Sequence, residues 1–207
     1  MQKLNKLNIM IAALSLAVFA IIAYLSNYIG VFRDFDLNSV ELFHNIAIKH
    51  SAKIPNIITD LGYGPYILIF LLILTVILAY YKRYKEAVLI TLTTNSAFLL
   101  NAFFKEIFKK MRPALEYHLT SVDGYGFPSG HAIIAVCFYG TLIYIIFRLI
   151  KANWLKYTLA GLLILLIILI SLSRIYLGVH YPTDIAASLF LGVFIIFFWI
   201  NLYNANN

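Results

Sequence analysis

Charge is what this sequence has least of. Asp, Glu, Lys and Arg make up 12% of its 207 residues, against the ~25% usual in a soluble domain. So few charges cannot cover a water-soluble globule of this size, which excludes the ordinary soluble classes. Cysteine is nearly absent too. A single Cys137 excludes an intrachain disulfide, and its place in an apolar run makes it a small packed hydrophobe rather than a reactive thiol. No Pro-, Gly- or Ser-rich linker divides the chain, and neither repeats nor low-complexity segments stand out, so residues 1–207 read as one domain.

What fills the chain instead is apolar: 62% hydrophobic residues and a mean hydropathy of +0.87. A helix needs about 20 such residues to cross a bilayer. Stretches free of charge reach roughly that length at Leu7–Phe32, Leu61–Tyr81, Ala87–Phe104, Pro128–Phe147 (broken only by His131), Tyr157–Ser173 and Ile185–Asn207. They predict an all-α integral membrane protein, a six-helix bundle. Lys3 and Lys6 precede the first stretch as in a signal peptide, but its long core and the lack of a small-x-small cleavage site favour a retained helix. Between spans one and two, Leu37, Val40, Phe43, His44 and Ile48 recur near helical spacing among polar residues, predicting an amphipathic helix on the membrane surface.

The net charge of +7 is explained by membrane topology and calls for no nucleic-acid partner. Lys3, Lys6, Lys82, Arg83, Lys85, Arg148, Lys151 and Lys156 fall on one side. Arg33, Lys49, Lys53, Lys105, Lys109, Lys110, Arg112 and Arg174 fall on the other. With Lys105, Arg112 and Arg174 set aside as chemistry, the first group is the larger. The expectation is a multi-pass protein of the cell membrane with both termini cytoplasmic and the polar site extracytoplasmic.

Six spans put the loops after spans three and five on one side, and both loops are rich in polar residues. The first runs from Lys105 through Arg112-Pro113 to Pro128-Ser129-Gly130-His131. The second runs from Ser173-Arg174 through His180 to Asp184. A phosphate ester, and still more its transition state, needs cations and fixed donors. Lys105, Arg112 and Arg174 supply three cations, and the two arginines can grip oxygens bidentately. Ser129 and Gly130 open span four, where free N–H groups and the helix dipole favour an anion. On a helix, His180 and Asp184 would share a face, so that the carboxylate orients an imidazole free to attack phosphorus. Pro182 between them leaves open a pairing made across a helix start. His131 is the natural general acid for the leaving oxygen.

Position by position, these segments resemble the signature of the type-2 phosphatidic acid phosphatase (PAP2) family: K-x6-R-P, P-S-G-H and S-R-x5-H-x3-D. That family also includes bacterial acid phosphatases and vanadium haloperoxidases. The resemblance implies the same roles for His180, His131 and Asp184, a phosphohistidine intermediate hydrolysed by water, and no metal or other cofactor. It implies a lipid phosphate or diphosphate as substrate: phosphatidylglycerophosphate, phosphatidic acid or undecaprenyl diphosphate. A phosphotransferase with another acceptor would use the same nucleophile. A transporter or scaffold would have no use for these residues.

Other polar residues carry plainer expectations. His44, His50 and His118 read as interfacial, and Lys109 and Lys110 as snorkelling to headgroups. Asn95 and Asn101 are expected to face the bundle, with helix–helix bonding the first role for Asn101 and orientation of Lys105 the second. Gly62-Tyr63-Gly64-Pro65 reads as a tight turn before span two, and Tyr176 and Tyr181 as interfacial anchors.

Overall fold

A computed structural model of the chain describes residues 6–205. Lys3 and the last two residues of the sixth expected span lie outside the described residues. The described chain is helical, without strands: α1 (Lys6–Tyr24), α2 (Arg33–Ala47), α3 (Lys53–Asp60), α4 (Gly64–Tyr80), α5 (Tyr84–Phe108), α6 (Gly130–Leu149), α7 (Asn153–Tyr176) and α8 (Pro182–Ala205). A π-helical turn, Leu25–Ile29, prolongs α1 until Gly30 ends it in a left-handed conformation at φ 73°.

Five helices are long and apolar enough to cross a membrane, and α3 with α4 forms a sixth candidate bent by 43°. The bend falls at the glycine-rich turn. Tyr63 is extended there, and Pro65 sits in the first turn of α4, where its missing N–H does no harm. Gly62 is required by space, since a Cβ would lie 2.6 Å from Ile170 Cγ2. The third span runs beyond the expected 87–104, because a helix tolerates Lys105 and Glu106 at a membrane boundary. It stops only where Lys109 turns left-handed at φ 45°.

The axial element is α6, whose residues Ala132–Tyr139 are all buried against α5, α7 and α8. Glycines allow the closest approach: a Cβ at Gly192 would meet Val136 at 2.6 Å, and one at Gly140 would meet Ile196 at 2.7 Å. Buried hydroxyls are paired between helices, Thr141 to Thr93 at 3.0 Å, while Trp199 donates to Ser96 at 2.9 Å. Tyr139 donates to Leu61 O at 2.8 Å and so satisfies the broken span. Cys137 is fully buried, as expected of a packed hydrophobe. Outward-facing Leu14, Ile21, Leu72 and Leu99 are exposed, the surface a lipid phase requires.

Two expectations change. The amphipathic helix α2 buries Asp36, Val40 and Ala47, while Leu37 and Ile48 point outward. Its inner face is therefore rotated from the one expected and carries a carboxylate, because α2 packs against α7 and α8. Asn95 does not face the bundle. It is exposed, and its amide bonds to Thr91 O of its own helix at 2.8 Å, which satisfies it without a neighbouring helix.

The loop between α5 and α6 folds back over the end of the bundle. Gly126 N–H donates to Lys110 O (2.8 Å) and Leu119 N–H to Leu177 O (3.0 Å). Gly178 fits under this loop for two reasons: its φ is +71°, and a Cβ would collide with the Tyr117 carbonyl.

Candidate active site

At that end of the bundle lies a cavity of about 430 Å³. Lys105 reaches it from the end of α5, Arg112 from the loop, Gly130 and His131 from the start of α6, Arg174 from the end of α7 and His180 from the α7–α8 turn. Asn56, Thr59, Asp60 and Tyr63 form a wall from the bent span. Six of the eight expected residues thus line one cavity. Ser129 and Asp184 are fully buried and stand behind it.

His180 is 2% exposed. Its Nε2 lies 3.1 Å from Arg112 Nη1. A guanidinium can only donate, so Nε2 is the acceptor and the ring proton belongs on Nδ1. Nδ1 stands 3.5 Å from Asp184 Oδ2, an ion-pair distance without hydrogen-bond geometry. The pairing is made across a helix start, with His180 ahead of α8 and Asp184 in its first turn. Tyr181 N–H donates to the same Oδ2 at 3.0 Å. Burial, followed by Arg112, Arg174 and Lys105, drives the imidazole well below its ordinary pKa. His180 is therefore neutral at physiological pH, with an unprotonated Nε2.

The cations differ in how far the protein already engages them. Arg112 donates to Gly124 O (2.9 Å), Asp123 O (3.0 Å) and Val179 O (2.9 Å), bracing the loop against the α7–α8 turn. Lys105 donates to Tyr125 O at 2.6 Å. Arg174 is 3% exposed and donates to Thr59 Oγ1 at 2.8 Å, while its Nε has no acceptor among the described residues. A buried guanidinium with unspent donors facing a cavity is chemically matched to an anion.

The Ser129 N–H is committed internally, donating to Ser188 Oγ (2.7 Å), which donates to Asp184 O (2.6 Å), while the buried Ser129 hydroxyl has no partner among the described residues. That amide is not free for an anion, contrary to the expectation from its position. The first amide satisfied within α6 is that of Ile133, bonded to Ser129 O, which leaves those of Gly130, His131 and Ala132 at the open helix end. Asn101 packs on Gly130, where a Cβ would lie 3.2 Å from its Nδ2. The ring of His131 is stacked near Tyr63, centroids 6.2 Å apart.

Lys110 is a correction. It turns inward and donates to Asp184 Oδ1 at 2.8 Å, since a fully buried carboxylate attracts it more strongly than the headgroup region does. Sequence reasoning also missed Asp36, Thr59, Thr183 and Ser188. Nothing in their spacing marks them, because their partners lie up to 147 residues away.

Fold and site together define a membrane-embedded protein with a cationic, histidine-bearing cavity at one end of its bundle. The chain belongs to the PAP2 superfamily, whose family model matches residues 86–207, and it is a membrane phosphatase of that family. It is 31% identical over 144 residues to phosphatidylglycerophosphatase B of Bacillus subtilis, covering 68% of this chain and 69% of the relative. It is 26% identical over 192 residues to an undecaprenyl-diphosphatase of Sulfolobus acidocaldarius, covering 90% and 88%. The crystal structure of a transmembrane PAP2-type phosphatidylglycerolphosphate phosphatase from Bacillus subtilis superposes with a TM-score of 0.82 over 95% of this chain and 97% of that one. At 23% identity this last likeness is one of fold.

Proposed function

We propose that the chain hydrolyses the terminal phosphoryl group of a membrane lipid through a phosphohistidine at His180, without a metal. The observation that carries this reading is the neutral, buried His180 with Nε2 held as an acceptor among three cations. The phosphoryl oxygens meet Arg174, Arg112, Lys105 and the amides at the start of α6. Nε2 attacks, the P–N bond forms and the P–O bond to the leaving group breaks, releasing the lipid alcohol from a monophosphate or the lipid monophosphate from a diphosphate. His131 gives its proton to the leaving oxygen, and the dianion arriving among the cations brings the counter-charge with which it can carry that proton. Water, deprotonated by His131, then cleaves the P–N bond.

The substrate is a lipid because the cavity opens at the end of an apolar bundle, where a tail can lie along the helices while its phosphate reaches the cations. The relatives' names point to phosphatidylglycerophosphate and undecaprenyl diphosphate, and phosphatidic acid presents the same terminal group. Among the described residues, no three His, Cys, Asp or Glu side chains converge as metal ligands would. Phosphate release from purified protein should be seen with at least one of these lipids and should survive EDTA. No release from any of them, or an EDTA-sensitive activity restored by one metal, would overturn the proposal.

The same reading places the site outside the cytoplasm, on the balance of basic residues. With Cys137→Ala as background, Glu116→Cys in the exposed loop should react with an impermeant thiol reagent on intact cells. Labelling only after lysis would reverse the orientation.

A further inference from the structure

The segment joining α1 to α2 lies outside the residues matched by the family model, yet it reaches the back of the site at Lys110. The ammonium is 2.8 Å from Asp184 Oδ1, 2.9 Å from Ser26 Oγ and 3.1 Å from Thr183 Oγ1, which occupies all three of its donors. Asp36 Oδ2 stands 3.5 Å away. Thr183 donates both its N–H (3.1 Å) and its hydroxyl (2.6 Å) to Asp36. The side chains of Asp36 and Asp184 are 6% and 0% exposed, and the rings of Phe127 and Tyr181 flank the ammonium.

Two buried carboxylates therefore share one half-buried ammonium directly behind His180. When Nε2 bonds to phosphorus and the leaving group departs, Nδ1 keeps its proton and the ring becomes cationic. An Asp184–Lys110 pair alone is neutral and does little for that cation. With both carboxylates ionised, the state that the Thr183 donors and Lys110 favour against burial, the cluster keeps one net negative charge behind the ring, matching the charge that develops on it.

We infer that Lys110 and Asp36 are positioning residues for the phosphoryl transfer: Lys110 fixes the Asp184 carboxylate toward His180, and Asp36 offsets the lysine so that the cluster meets the imidazolium as an anion. This rests on His180 being the nucleophile. The remaining charged and titratable groups facing the cluster are Lys105 from the end of α5, Arg112 from the loop, His180 and Tyr181 from the α7–α8 turn, and Arg33 and Tyr117 through Tyr181.

The test uses purified full-length Lys110→Met, Asp36→Asn and the double variant. Asp36→Asn is nearly isosteric and keeps an oxygen for Thr183, so it guards against a Lys110→Met variant that fails to fold. Each single change should lower kcat about tenfold or more, the scale of a lost buried charge-assisted bond, with KM within about twofold. The acid limb of the kcat profile should move up in pH for Lys110→Met, where the carboxylates lose their cation. It should move down for Asp36→Asn, where they lose a like charge. A merely structural role cannot move the limb in opposite directions. Unchanged kcat, limbs that stay put, or limbs that move the same way would each overturn the inference. Turnover by His180→Ala would instead remove the nucleophile on which it stands, so the two failures are distinguishable.

Discussion

His180→Ala is expected to lose turnover by a factor of about 10⁴ or more, the scale seen when an essential nucleophile or its base is removed. Nothing near it can substitute. Among the described residues, His131 is the only other histidine lining the cavity, and it belongs to the leaving-group side of the proposed reaction. Lys105, Arg112 and Arg174 would remain, so phosphate lipid should still bind while the P–N bond cannot form. Because the side chain is buried, its truncation also leaves a hole, and His180→Asn serves as the fuller-sized companion. The measurement is phosphate release from folded protein, with the melting temperature in detergent as control. Release near the wild-type rate from either variant would remove His180 from the mechanism.

Arg112→Lys should cost about 10² to 10³ in kcat/KM, comparable to losing a donor of a preorganised anion site, and more than Arg174→Lys. The difference lies in what each guanidinium already holds. Arg112 joins Asp123 O, Gly124 O and Val179 O to His180 Nε2, so it braces the loop and fixes the imidazole tautomer, and in the proposed reaction it would grip phosphate as well. A lysine ammonium has three donors and no planar fork, and cannot span these partners. Among the described residues Arg174 has a single hydrogen bond, to Thr59, and its replacement should weaken the phosphate grip alone. Vanadate, which can become five-coordinate at an attacking nitrogen, separates the two effects. Its inhibition constant should rise in both variants, with the larger rise in Arg112→Lys. Equal vanadate affinity in wild type and both variants would refute the clamp.

The six spans and the residues lining the cavity were legible because both follow local rules. A span is announced by about 20 uncharged residues, and Lys105, Arg112, His131, Arg174 and His180 sit at spacings that survive as a pattern in one dimension. Where local rules ended, errors began. The inner face of α2 was misassigned because Leu37 and Val40 look alike in hydropathy, and only packing against α7 and α8 selects Val40 and Asp36. Lys109 and Lys110 are neighbours of one chemistry, yet one ends a helix at the surface and the other turns inward to Asp184.

By itself, the sequence determined the membrane class, the number of spans and the three motifs, since each depends on composition or on spacing along one helix or turn. Tertiary structure alone decided which N–H groups remain available, how Arg112 sets the tautomer of His180, and that Asp36 and Thr59 join the site. Those outcomes turn on distances between residues remote in sequence, and a buried charge or donor is settled only by what the fold brings within about 3 Å of it.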